Sequence, residues 1–278
     1  MCAAEHDVSA SRVLGIPRVF HVVWVGPFCG PPQRPMDEAM VKTWQDVNPG
    51  WELKVWRPRD FDHTWKTLPF AARQSRPALA VDALRYEILA RHGGVYVDTD
   101  FEALEPIEPL VKKVAAHVLG GREESAAASR DDVDMVLVCH EDPTVSLRQS
   151  DACSIGFIGA TPGATVLTGA VEAIHKSMSG PIPRRASPAD LCGTRFWRRC
   201  LGLSSPTGEL HHSVVVIPSR ALYPYRWDEK RPHSWPPFGA VAAHHWAASW
   251  WEGDGGERAE HQLAVRGDHR EPAEHFTQ

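Results

Sequence analysis

The chain has 278 residues, 43% hydrophobic and 23% charged, with 30 basic against 35 acidic side chains and a formal charge of -5. That hydrophobic share excludes wholesale disorder, and the near balance of charge removes any global electrostatic reason to expect nucleic acid or an anionic membrane as partner. Residues 16–25 (IPRVFHVVWV) are rich in β-branched and aromatic side chains, stop at Gly26-Pro27, and predict a buried strand. A proline-rich loop, residues 29–35, follows. Met36, Met40, Trp44 and Val47 then recur at helical spacing until Asn48-Pro49-Gly50 ends the helix. Residues 51–56 (WELKVW) alternate as a strand does, so the chain opens as a βαβ unit of an α/β domain.

The next helix is expected over residues 78–92, with Val81, Leu84 and Ile88 on one face and Gly93-Gly94 as its stop. Val95-Tyr96-Val97 follows as a short buried strand that delivers Asp98-Thr99-Asp100. Residues 121–132 read as an exposed loop, 135–139 and 155–158 as strands, 162–178 as a helix and 214–217 as a late strand. Three segments are expected: an N-terminal tail over 1–15, one domain over 16–252, and a polar, aperiodic C-terminal tail over 253–278. The six cysteines, Cys2, Cys29, Cys139, Cys153, Cys192 and Cys200, contain no C-x-x-C, which argues against a structural zinc site and for reduced thiols. No apolar run approaches the roughly 20 residues of a membrane span, and residues 1–12 lack the basic start and apolar stretch of a signal peptide. The expectation is a cytoplasmic protein of bacterial or viral type.

The chemistry concentrates in residues 81–102 (VDALRYEILARHGGVYVDTDFE). Asp98 and Asp100, two apart at a strand end, send both carboxylates to one side. Two hard oxygen ligands at that spacing suit Mg²⁺ or Mn²⁺, which in turn holds a diphosphate. Asp82 and Arg85 share a face of the preceding helix. The bland alternatives are a solvated turn for the D-x-D, a surface pair for Asp82 and Arg85, and core filling for Trp24. An EF-hand starting at Asp98 fails because Ala103 and Pro109 stand where Gly and Glu are required. There is no G-x-x-x-x-G-K-[ST] and no G-x-G-x-x-G. A haloacid-dehalogenase-like phosphohydrolase also begins with D-x-D after a strand, but wants Thr or Val where Glu102 stands; it is one alternative, and a non-catalytic nucleotide-sugar-binding module is another.

Three motifs in order resemble family 32 glycosyltransferases, which include fungal initiating α-mannosyltransferases, and the catalytic domain of glucosylating bacterial toxins. They are Phe20-His21-Val22-Val23-Trp24-Val25-Gly26 with Trp44-Gln45-Asp46-Val47-Asn48-Pro49; Asp82-Ala83-Leu84-Arg85-Tyr86 with residues 93–100; and Ala243-His244-His245-Trp246-Ala247-Ala248-Ser249-Trp250. The resemblance implies a GT-A type fold, a mixed central sheet flanked by helices. It implies a retaining transfer of a hexose from a UDP- or GDP-linked donor, with Mn²⁺ (or Mg²⁺), to a glycan, lipid or protein acceptor left open. It places Asp98, Asp100 and His244, with His245 as the alternative, at the metal, and Asp82 and Arg85 on the donor sugar. Val23, Trp24, Tyr96, Ser249 and Trp250 would complete the nucleotide site. The chain departs from the family at Ser154-Ile155-Gly156, where relatives often carry Asn, and lacks a T-G-P near Gly193-Thr194. The residues nominate no nucleophile for a retaining reaction.

Overall fold

The structure is a computed structural model that describes residues 12–25, 38–74, 77–118, 134–148, 153–178, 187–203, 209–229, 231 and 233–246. Expectations for residues 1–11, the loops at 29–35 and 121–132, Ser249, Trp250 and residues 253–278 lie outside the described residues. In chain order the elements are β1 (Arg12–Val13), β2 (Ile16–Pro17), β3 (Val19–Val23), α1 (Glu38–Val47), β4 (Glu52–Trp56), α2 (Leu68–Ala71), α3 (Pro77–His92), β5 (Gly94–Val97), β6 (Phe101–Ala103) and α4 (Ile107–Val118). There follow β7 (Val136–Val138), β8 (Phe157–Ala160), α5 (Thr165–Ser177), α6 (Pro188–Leu191), α7 (Thr194–Cys200), β9 (Val214–Val216) and β10 (Ala242–His244).

The fold is α/β with a mixed central sheet flanked by helices, as expected. Six strands lie in the order β4-β3-β5-β8-β7-β9. β3 is parallel to β4 and to β5, and β7 is parallel to β9, while β8 runs against both β5 and β7. Five strands therefore end at the same edge, and β8 begins there. The opening βαβ unit is found as read, with β3 and β4 adjacent and parallel. The strand expected over 155–158 is shifted to Phe157–Ala160, and β1, α2, β6, α4, α6, α7 and β10 lie where the sequence predicts no element.

Strand alternation sorts the core into two layers. Tyr96, Val136, Val138, Ile158 and Ala160 join the layer that contains α3, α5 and α7. Val95, Val97, Leu137 and Phe157 face Val41, Trp44, Ile107 and Val111 of α1 and α4. Helix α3 is buried on nearly every side, Arg85 and Glu87 included. Glu87 is satisfied there by the backbone N–H groups of Lys66 and Thr67 and by Arg91. No helix among the described residues is long and apolar enough to cross a membrane. The four described cysteines are free thiols.

Two features of this frame fix the sheet edge that matters below. Trp44, fully buried, donates its indole N–H to the carbonyl of Phe101 at 2.9 Å, and Asn48 accepts from Ile107 N–H at 2.8 Å. The W-x-x-x-N-P motif thus clamps α1 onto β6. Gly93 and Gly94 both adopt left-handed φ, 63° and 86°. A Cβ on Gly93 would lie 2.6 Å from Pro162 Cδ, and one on Gly94 would lie 2.7 Å from the Val19 carbonyl oxygen. The pair is more than a helix stop, because neither position has room for any other residue.

His21 supplies a pH-dependent contact in the same place. Its Nε2 donates to the Gly93 carbonyl at 2.9 Å, and its Nδ1 accepts the Trp56 indole N–H at 3.0 Å, which is the neutral tautomer. Burial, helped by His92 and Lys54 and opposed by the Gly93 contact, pulls its pKa from 6.5 down to about 3. The unfolded chain therefore takes up a proton first, so this stabilisation is complete above about pH 6.5 and is lost as pH falls towards 3. Denaturant titrations across that window should show His21 contributing up to about 1.4 kcal/mol of lost stability per pH unit. His21→Gln should flatten the pH dependence by that amount; equal slopes in both proteins would remove His21 from the account.

Candidate active site

Strand β5 is buried along its whole length and ends at the sheet edge where Asp98 begins a tight turn, with Phe101 N–H donating to the Asp98 carbonyl at 3.2 Å. Asp98 and Asp100 are 8% and 5% exposed, so the D-x-D is no solvated turn. Because α3 runs straight into β5 through the two glycines, Asp82 and Arg85 on the helix come to lie beside Asp98 on the strand.

Arg85 is the centre of this arrangement, at 2% exposure. Its guanidinium donates to Asp82 Oδ1 at 2.5 Å, lies 3.3 Å from Asp98 Oδ1, donates to the carbonyl of Ile155, and covers the Tyr96 ring at 4.4 Å. Tyr96 in turn donates its hydroxyl to Asp98 Oδ1 at 2.6 Å. Burial alone would discharge an arginine, but Tyr96, Asp98 and Asp82 reverse that tendency and hold it charged. The surface-pair reading of Asp82 and Arg85 does not hold: the pair is interior. Tyr96 is 1% exposed and acts by orienting Asp98.

The closing motif reaches the D-x-D through a two-stranded sheet. β10 pairs antiparallel with β6, setting His244 opposite Phe101, and His245 N–H donates to the Asp100 carbonyl at 2.9 Å. Alternation along β10 sends the two imidazoles apart. His244 Nε2 lies 3.1 Å from Asp100 Oδ1, whereas His245 Nε2 lies 2.7 Å from Glu102 Oε2 and its Nδ1 3.1 Å from the Tyr225 hydroxyl. One ligand atom from each of Asp98, Asp100 and His244 falls within 4.8 Å of the others. Burial lowers the His244 pKa, but Asp100, Asp98 and Glu141 outweigh it, so the imidazole is raised above its ordinary value. The site attracts positive charge, and two carboxylates with one imidazole suit a hard to borderline divalent ion such as Mn²⁺. The buried Nδ1 of His244 has no hydrogen-bond partner among the described residues.

A fourth acid faces this edge that sequence reasoning missed. Glu141 follows β7 at its carboxyl end. Burial, with Asp98 and Asp82 adding repulsion and His244 and Arg85 opposing it, pushes its pKa up to about 7. Asp82 is likewise pushed up to about 7 by burial and Asp98, against Arg85. Four acids therefore share this edge with one guanidinium and one imidazole, and two of them, Asp82 and Glu141, hold their protons up to about pH 7. The signal for Glu141 was an acid just beyond a buried strand; what was missing is that β7 runs parallel to β5 and ends at the same edge.

The departure at residues 154–156 is a backbone cradle. The Ile155 carbonyl accepts from Arg85, the Gly156 carbonyl accepts Asp98 N–H at 2.9 Å, and Ser154 Oγ is hydrogen-bonded to the Tyr223 hydroxyl. A Cβ on Gly156 would lie 2.8 Å from Asp98 Oδ2. Val23 is buried, and Trp24, half-buried at the end of β3, donates its backbone N–H to the Trp56 carbonyl at 2.9 Å.

Comparison with known proteins adds four findings. The chain is similar to the solved structure "PaToxG Glycosyltransferase", at 13% identity and TM-score 0.45 over 69% of this chain and 70% of that one. It is also similar to a "glycosyltransferase involved in the glycosylation of the major capsid of PBCV-1", at 12% identity and TM-score 0.40 over 90% and 100%. No curated protein sequence matches it. Residues 36–117, which contain Asp82, Arg85, Asp98 and Asp100 but neither Trp24 nor His244, match the family described as the glycosyltransferase sugar-binding region containing DXD motif.

Proposed function

We propose that the chain transfers a hexose from a UDP- or GDP-linked sugar to an acceptor, with retention of configuration and with Mn²⁺ held by Asp98, Asp100 and His244. The observation that carries this reading is the convergence of those three side chains within 4.8 Å, two of them inside the matched sugar-binding region. When bound, the ion would neutralise the charge that develops on a diphosphate leaving group. The free thiols and the lack of a membrane-crossing helix among the described residues are in keeping with a cytoplasmic setting.

The chain's own residues divide the remaining work. Arg85 locks the rotamers of Asp82 and Asp98, so that both carboxylates are positioned before any ligand arrives. Asp82, whose side chain keeps 13% exposure, accepts hydrogen bonds from donor-sugar hydroxyls. Trp24 packs on the nucleotide base from the carboxyl end of β3, where α/β sheets commonly bind ligands. Glu141 is the carboxylate available on the sugar side, either as nucleophile or as the charge that stabilises an oxocarbenium-like centre during same-face attack.

A panel of UDP- and GDP-sugars screened for Mn²⁺-dependent hydrolysis tests the reaction class. Asp100→Asn should lower that hydrolysis by roughly 100-fold while leaving the thermal transition in place. Full activity in excess chelator would overturn the metal role, and release of phosphate from simple phosphomonoesters without sugar transfer would favour the phosphohydrolase reading.

Gly156→Ala tests the cradle. Its new methyl group must displace the Asp98 carboxylate, so donor hydrolysis should fall by about tenfold or more, with weaker Mn²⁺ binding. Unchanged metal affinity would mean that Asp98 does not ligate. Glu141→Gln should reduce turnover by roughly 100-fold with nucleotide-diphosphate affinity nearly unaltered. Equal loss of both would place Glu141 in binding instead.

A further inference from the structure

A second group of ligand-type side chains lies at the other end of the sheet. Asp134 precedes β7 and His211-His212 precede β9; the parallel register that sets Val136 beside Val214 brings the three together. One ligand atom from each falls within 4.8 Å of the others. β7 and β9 run parallel, so this cluster sits at their amino ends while Glu141 and the D-x-D lie at the opposite edge. Nothing in the proposed transfer reaction uses it.

Hydrogen bonds from the surroundings hold two of these side chains in place. Thr165 N–H donates to Asp134 Oδ1 at 3.1 Å, fixing the carboxylate while leaving its second oxygen for an ion. His211 Nδ1 lies 2.8 Å from the buried Ser213 hydroxyl. The Ser213 backbone N–H also donates to that nitrogen, at 3.4 Å, so Ser213 fixes the ring from its Nδ1 side. The imidazoles of His211 and His212 have centroids 4.2 Å apart, so their nitrogens can turn towards one point. The backbone beneath is pinned, with Val136 N–H donating to the Ser213 carbonyl and Val214 N–H to the His211 carbonyl, each at 2.9 Å.

We infer that Asp134, His211 and His212 form a second divalent-metal site, of the zinc type, clipping the approach to β9 onto the start of β7 and of α5. Two imidazole nitrogens and one carboxylate oxygen are a ligand set that zinc takes with a fourth position left to water. The oxygen-rich set at the D-x-D is harder and prefers Mn²⁺ or Mg²⁺. The two sites therefore differ in ion as well as in place.

The test uses tag-free, full-length protein carrying Asp100→Asn, which weakens the first site. Zn²⁺ titration by calorimetry should find one equivalent bound, with a rise in thermal midpoint. Co²⁺ in place of Zn²⁺ should give the intense visible absorption of a four-coordinate nitrogen-oxygen site. Adding His212→Ala, an exposed position where the fold should tolerate the change, should abolish both signals. Ser213→Ala should weaken binding by about tenfold through loss of the Nδ1 partner. Absence of Zn²⁺ binding in the Asp100→Asn protein, or binding that survives His212→Ala undiminished, overturns the site. Because no readout depends on sugar transfer, failure here leaves the proposed reaction standing, and failure of the reaction leaves this site standing.

Discussion

A permanently charged guanidinium in the protein interior is the constraint around which the candidate active site is built. Arg85 cannot shed its proton, so the fold must surround it with acceptors or lose several kcal/mol. It does so with Asp82 from its own helix, Asp98 from the next strand, the Ile155 carbonyl from the approach to β8, and the face of Tyr96. Those four partners come from three different elements. The charge therefore does what apolar packing cannot, because it fixes direction as well as proximity: each carboxylate is held in one rotamer at the sheet edge.

The second layer of the site depends on long-range pairing rather than on local charge. β6 and β10 contribute only three residues each, yet their antiparallel register decides which of two adjacent histidines faces the D-x-D. His244 is packed against Phe101, Tyr223 and Trp246, with ring centroids at 4.8, 5.4 and 4.4 Å, so its position is set by aromatic contacts as much as by Asp100. His245 is engaged by Glu102 and Tyr225 on the other side. Two neighbouring residues of one type are thereby given different duties by strand alternation alone.

Legibility in the sequence followed the range of the interactions. The βαβ opening, α3 and the strand before Asp98 could be read because hydrophobic period and glycine punctuation are local signals. The Asp82–Arg85–Asp98 grouping was half legible: the spacing put two of them on one helix face, but only the fold shows that the face is buried. Glu141 was invisible because its relevance rests on β7 lying parallel to β5 two strands away, with β8 between them. β6 and β10 escaped notice because three-residue strands have no period to detect, and their existence is decided by each other. The W-x-x-x-N-P motif is legible only as a resemblance, because its physical content, the clamp from Trp44 to Phe101 and from Asn48 to Ile107, joins residues 57 and 59 apart in sequence.

The glycine doublet between α3 and β5 has a consequence for how the chain can change. With no spare residue between helix and strand, the doublet sets the parity of β5: odd positions Val95 and Val97 face one layer, and Tyr96 faces the other. A single inserted residue would invert that parity, present a valine to Arg85 in place of the tyrosine, and carry Asp98 to the wrong face of the sheet. Length at this junction is thus as tightly specified as residue identity. Variation that preserves the site is confined to substitutions elsewhere or to insertions beyond the reach of the helix-to-strand step.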